Sequence, residues 1–209
     1  MMIKAVSALA GLFMACSSVA TAADPTDTAA YDLLFKQGTL DAIEKGSVLN
    51  YSRDVTNTLV PAAAQRDTGT IEMTLAGGTP PEARLQFLQG EKHRALGAFP
   101  ASVGNPVIMY FVETVVRDMA ESAGGSPFYI RNRVKEALIS PADITEADGD
   151  VTVVIWPFEG DPNAARMNGF GALKLTVIMS EEVPGWYRSL SAEAGEAYGS
   201  MMVFEGVAE

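Results

Sequence analysis

The sequence predicts an α+β fold: a curved antiparallel sheet, or half-barrel, wrapped around a central apolar helix. Three observations carry this expectation. Ile71, Met73 and Leu75 alternate with Glu72 and Thr74, and Ala83, Leu85 and Phe87 alternate with Arg84 and Gln86. That period of two marks strands with one buried face and one wet face. An unbroken apolar run from Val107 to Val112 opens a helical segment bounded by Asn105-Pro106 and Gly124-Gly125. A helix apolar on every side is buried on most sides. Finally, runs of strands flank a pair of helices and no strand alternates with a helix, which argues for antiparallel pairing rather than a parallel sheet.

The elements follow in order. Residues 1–23 read as an export signal, with Lys4 as the only charge, an apolar stretch from Ala5 to Met14, and small residues at Ser17, Ser18, Ala20 and Ala22. Cleavage fits after Ala22 or Ala23. The apolar stretch is shorter than the roughly 20 residues that span a bilayer, so the product is expected to be periplasmic, with no transmembrane segment. Lipidation at Cys16 is the less favoured route, because Met14 is large where bacterial lipidation motifs carry a small residue. Residues 24–30 are small and polar and are predicted to be a disordered leader. Residues 31–209 form one domain.

Tyr31 to Lys45 offers two helical turns or one helix broken at Gly38. Four strands follow, around Leu49–Val55, Ile71–Leu75, Ala83–Phe87 and Ala95–Phe99. Gly77-Gly78-Thr79-Pro80-Pro81 and Gln89-Gly90-Glu91-Lys92 supply the turns. In the central helix Asn105 is the cap and Pro106 the first helical residue. Ser126-Pro127 opens a second helix, with Ile130, Val134 and Leu138 on its inner face. Strands return at Val151–Phe158, Leu173–Met179, Trp186–Leu190 and Met201–Phe204. The loop from Gly160 to Gly171 is long for a hairpin connection and glycine-flanked, which suggests a mobile lid carrying Met167 and Phe170.

Composition excludes several functions. The chain has 209 residues, 48% of them hydrophobic, and 26 acidic against 15 basic side chains, for a net charge of −11. A phosphate backbone would be repelled, so nucleic acid is not expected as a partner. One cysteine and one histidine leave no multi-thiolate metal site and no Ser-His-Asp arrangement. No catalytic residue, cofactor or metal is legible. His93 reads as a surface residue. Glu146, Asp148 and Asp150 lack the glycine and glutamate spacing of a calcium loop and read as a solvated turn before a strand. Glu181 and Glu182 would point to opposite faces of a strand and could not cooperate as a catalytic pair.

Two features point to binding. Met73, Met109, Met119 and Met179 fall on predicted buried faces, as core filler or as the adaptable lining of an apolar site. Arg131, Arg133 and Lys135 form a basic cluster on the second helix. It is either its solvated side or a dock for an acidic protein partner or a lipid headgroup.

The segment Gly46-Ser47-Val48-Leu49-Asn50-Tyr51 resembles the Gly-x-x-Leu-x-Tyr opening strand of some exported protein families. The strand–helix–strand arrangement resembles the periplasmic lipoprotein-carrier (Lol-type) superfamily, in which a curved sheet half-closes around a helix and shelters acyl chains. The resemblance implies a non-enzymatic binder or carrier of a lipid or other apolar molecule, held in a groove between sheet and helix. The expected lining is Met73, Leu75, Leu85, Phe87, Phe111, Val115, Leu175, Val177 and Met179. A structural or adaptor protein with a filled core is the alternative, and a hydrolase using isolated carboxylates is the third reading.

Overall fold

The computed structural model describes residues 28–208. The predicted signal, Cys16 and residues 24–27 of the predicted leader lie outside that range. Nine strands, β1 (Val48–Asn57), β2 (Gly69–Ala76), β3 (Glu82–Gln89), β4 (Lys92–Pro100), β5 (Asp143–Ala147), β6 (Asp150–Ile155), β7 (Lys174–Ser180), β8 (Tyr187–Ala194) and β9 (Tyr198–Ala208), form one sheet. Its order is β4-β3-β2-β1-β9-β8-β7-β6-β5, and each neighbouring pair is antiparallel. Two meanders therefore meet where β1 pairs with β9, and β4 and β5 are left as open edges. The sheet is curved but not closed into a barrel.

Alternation fixes which side chains face inward. Leu49, Met73 and Leu85 stand opposite one another across β1, β2 and β3, and Tyr51, Ile71 and Phe87 form the next row. In the other half, Val153, Val177, Leu190 and Met202 make an equivalent row across β6 to β9. All of these are buried.

The helices α1 (Ala29–Leu34), α2 (Pro61–Asp67), α3 (Val107–Ala123) and α4 (Pro127–Leu138) complete the domain. α3 lies against the sheet through Ile108, Phe111, Val115, Val116 and Met119. Its start is pinned by Asn105, whose Oδ1 accepts the Val107 N–H at 3.0 Å. The Asn105 Nδ2 donates to Tyr51 Oη at 2.9 Å and to the Gly185 carbonyl at 2.8 Å. One amide thus caps the helix and ties it to both halves of the sheet. Gly104, just before it, has φ +100°, and a Cβ there would stand 2.6 Å from the Lys36 carbonyl oxygen. Only glycine lets the chain after α1 lie this close. α4 packs inward through Ile130, Val134 and Leu138, as its spacing predicts.

Several expectations need correction. α3 is not apolar all round: Met109 is exposed, and Glu113, Arg117 and Glu121 share the outer side with it. The run 107–112 covers fewer than two turns, too little to reveal that the third and fourth turns are amphipathic. The first helix is only six residues and starts at Ala29, within the stretch read as a leader, while the chain from Lys36 to Ser47 forms turns. α2 was not expected. The acidic run is a hairpin, with β5 before the turn at Asp148-Gly149, both at positive φ. The last two strands run longer than predicted. The loop expected as a lid is instead folded into two short 3-10 turns with Phe170 fully buried and Met167 nearly so. It is held by Asp161, which accepts hydrogen bonds from Tyr129 Oη (2.6 Å) and the Asn163 N–H (2.8 Å) and forms an ion pair with Arg133 Nε at 2.9 Å.

Candidate functional site

The nine residues expected to line a groove are all at most 5% exposed and belong to one continuous core. Met73, Leu75, Leu85 and Phe87 project from the first meander, Leu175, Val177 and Met179 from the second, and Phe111 and Val115 from α3 between them. The sequence therefore places them on a common interior surface, and that surface is in contact with the helix. None of them lines any of the five concavities described for the molecule.

An apolar groove does exist, on the far side of α3. It has a volume of about 390 Å³ and is walled by Tyr31 and Phe35 of the α1 segment, Met109 and Val112 of α3, and Leu138 and Ile139 at the end of α4. Glu113, Arg131 and Lys135 stand at its polar side. Its walls are set by local sequence. Gly124 and Gly125, at φ +73° and +92°, turn the chain so that α4 returns alongside α3. Trp186 Nε1 donates to the Leu33 carbonyl at 2.9 Å and Tyr187 Oη to that of Leu34 at 2.5 Å, which fixes the C-terminal end of α1 over the sheet. The Tyr31 and Phe35 rings lie tilted against each other, centroids 4.8 Å apart, and form the third wall.

The charges at the groove are unequal. Arg131 grips Glu113 through Nε at 3.0 Å and Nη2 at 2.8 Å. Those hydrogen bonds hold the Glu113 carboxyl below its ordinary range, against the opposing effect of partial burial, and the Lys135 charge assists. Arg133 is turned the other way, to Glu136 at 2.8 Å and to Asp161. Lys135 makes no ion pair among the described residues. Of the predicted basic cluster, Arg131 and Arg133 are thus engaged within the protein and Lys135 is not, among the described residues.

A buried polar centre escaped the sequence reading. Arg53 on β1 and Asp118 on α3 have 0% and 1% exposed side chains and pair at 3.2 Å. Tyr198 Oη donates to the same carboxylate at 3.0 Å. Arg117 bridges Asp118 (3.1 Å) and Asp67 (2.8 Å), and Arg66 joins Asp67 (2.8 Å) to Glu121 (2.9 Å). Burial pushes the Asp118 carboxyl up, although Arg53 and Arg117 oppose this. Burial also pushes at Asp67, but there the hydrogen bonds from Arg66 and the surrounding arginine charges prevail and hold it low. The signal was available: Arg53 occupies an inward position between Tyr51 and Val55, and Asp118 falls on the buried face of α3 beside Val115 and Met119. Arg53, Asp118 and Tyr198 are sealed from solvent and tie the helix to the sheet, while Arg66, Arg117 and Glu121 carry the network out to the surface.

Other expectations resolve simply. His93 is exposed on β4. Glu181 pairs with Lys36. Glu136 and Glu159 share a concavity of about 300 Å³ with Trp156, where Arg133 neutralises Glu136. Among the described residues there is no group of three or more histidine, cysteine or acidic side chains able to hold a metal, and no helix is long and apolar enough to cross a membrane.

No family model and no curated protein matches the chain. Among solved structures it is similar to the Mycobacterium tuberculosis lipoprotein LppX, with 14% identity and a TM-score of 0.33, over 86% of this chain and 94% of that one. A likeness at this level assigns neither fold nor ligand; the fold rests on the geometry above.

Proposed function

We propose that this is an exported, non-enzymatic binder or carrier of an amphiphile with an apolar tail and an anionic head. The observation that carries the reading is the groove bounded by α1, α3 and α4: apolar walls, a volume within the range of small-molecule sites, and Lys135 at the rim with no ion pair among the described residues. Each methylene moved from water onto such walls contributes about 0.8 kcal/mol, or about fourfold in affinity. The nine core residues, from Met73 to Met179, are the proposed extension of the site. A tail longer than the groove would have to pass between α3 and the sheet to reach them.

A series of fatty acids of increasing length, competing with a fluorescent acyl probe, tests both parts. Affinity should rise about fourfold per methylene and level off once the groove is filled. A rise that continues beyond that length marks entry beneath α3. Met109→Asp should abolish probe binding. No binding at any length, or binding indifferent to Met109→Asp, overturns the proposal. The filled interface beneath α3 favours a second reading, an adaptor that works through its surface. Under that reading no acyl chain binds and Met109→Asp changes nothing but solubility.

A further inference from the structure

The two open edges of the sheet carry opposite charge. β4 begins with Lys92, His93 and Arg94, and β5 with its following turn holds Asp143, Glu146 and Asp148. All six side chains are exposed, and none forms an ion pair among the described residues. Charges elsewhere on the strands do find local partners: Arg84 pairs with Glu82, Lys174 with Glu193 and Arg188 with Asp150. Each edge also leaves one side of its backbone without a ladder partner, since β4 neighbours only β3 and β5 only β6 in the sheet. Charge normally guards such a border, because like charges on approaching strands repel. Here the two guards differ in sign. A β4–β4 contact would set cations against cations and a β5–β5 contact acids against acids. Only β4 of one copy against β5 of another brings unlike charges together.

The topology fixes how those edges can meet. β4 and β5 stand at the two ends of nine alternating strands, so they run in the same direction. A second copy displaced along the sheet therefore offers its β5 parallel to β4, with its inner face on the same side. Arg94 stands opposite the inward Phe87, and its guanidinium lies over that ring at 5.1 Å. Ile144 stands opposite the buried Val153, and Glu146 opposite Val151. Arg94 and Glu146 thus share the inner side, as does Lys92, two residues from Arg94. The five residues of β5 suit the regular start of β4. Beyond Ala95 the extra residue Leu96 shifts the register, and Pro100 has no N–H to donate. We infer that the β5 edge of one copy adds to the β4 edge of the next. Copies then join head to tail in one continued sheet, with the helices of each on the same side. The contact is heterologous, so it extends as a filament unless the curvature closes a ring. The net charge of −11 per chain repels copies at long range, but that repulsion is screened beyond about 8 Å at physiological ionic strength, whereas the edge charges act in contact. None of this depends on the amphiphile reading.

Sedimentation equilibrium of the full chain at physiological salt, over a series of protein concentrations, tests the joining. The average mass should rise with concentration and pass that of a dimer. Lys92→Glu with Arg94→Glu in one variant, and Asp143→Lys with Glu146→Lys in another, should each weaken association about tenfold. Both variants should keep the thermal midpoint and the acyl-probe binding of the wild type. The neutral variant Lys92→Gln with Arg94→Gln should weaken association by a smaller factor. An equal mixture of the two charge-reversed variants should restore it, because the edges of each then fit the edges of the other. A wild-type mass that stays monomeric overturns the inference. So does association that persists in either reversed variant alone, which would mark a β4–β4 or β5–β5 contact or one elsewhere on the surface. A mixture that stays monomeric also overturns it. So does a monomer that binds a synthetic peptide of residues 143–148, which would make β4 a dock for the strand of another protein.

Discussion

At the residue scale the most consequential pair is Arg53 and Asp118. Two buried opposite charges repay their desolvation only when each is also hydrogen-bonded, and here Tyr198 supplies the additional bond to the carboxylate. Arg53→Ala leaves Asp118 charged or forces it to take up a proton. It should therefore cost about 3–5 kcal/mol, read as a lower urea midpoint. Replacing both partners with apolar residues of similar volume should recover most of that loss, and a double-mutant cycle measures the coupling. The pair also shows what a binary reading of sequence misses. The alternation of Leu49, Tyr51 and Val55 implies an inward position 53, but a reading by apolar pattern makes no use of Arg53, whose partner lies 65 positions away on an element whose facing is set only by packing.

At the scale of elements, the strands other than the acidic β5 were legible from their apolar pattern. α2 and the 3-10 turns were not, being too short for any period to show. The groove was illegible for a different reason. It is made where α1, α3 and α4 meet, and no one of these announces the gap between them. The segment joining α1 to β1 is held against α3 by Gly104. Gly104→Ala would strain both the positive φ and the approach to Lys36. It should cost about 2 kcal/mol and loosen the α1 wall, seen as a lower thermal midpoint together with weaker acyl-probe binding. The helices are further secured by carboxylates. Glu113, held low by Arg131, Glu121, held low by Arg66, and Asp161, held low by Tyr129, each have a folded-state pKa below the unfolded value. Their contribution is present above an unfolded pKa near 4 and is lost as pH falls through the folded values. Asp118, pushed up, works in the opposite sense: its contribution diminishes as pH rises through its raised value. Urea midpoints should accordingly decline below about pH 4, and Glu113→Gln should flatten that decline without abolishing it.

For the whole molecule, the sheet is two meanders sewn together at β1 and β9, and α3 lies across the two halves. The strand–helix–strand order in the sequence was sufficient to predict this class of fold. The pairing of a strand at one end of the domain with a strand at the other was not, since nothing local encodes it. The design makes the halves interdependent. Removing residues 198–208 takes away the partner of β1, the partner of β8, and Tyr198 from the buried polar centre. The truncated chain should lose its cooperative thermal transition altogether rather than retain half of it, as followed by circular dichroism.

Synthesis runs from one meander to the other, so β1 leaves the ribosome long before the strand that will seal it. Until β9 emerges, the first four strands present a bare inner border and α3 has only part of its cradle. The nascent domain therefore stays unlocked until β9 is made, and its sheet closes only when that strand pairs along β1.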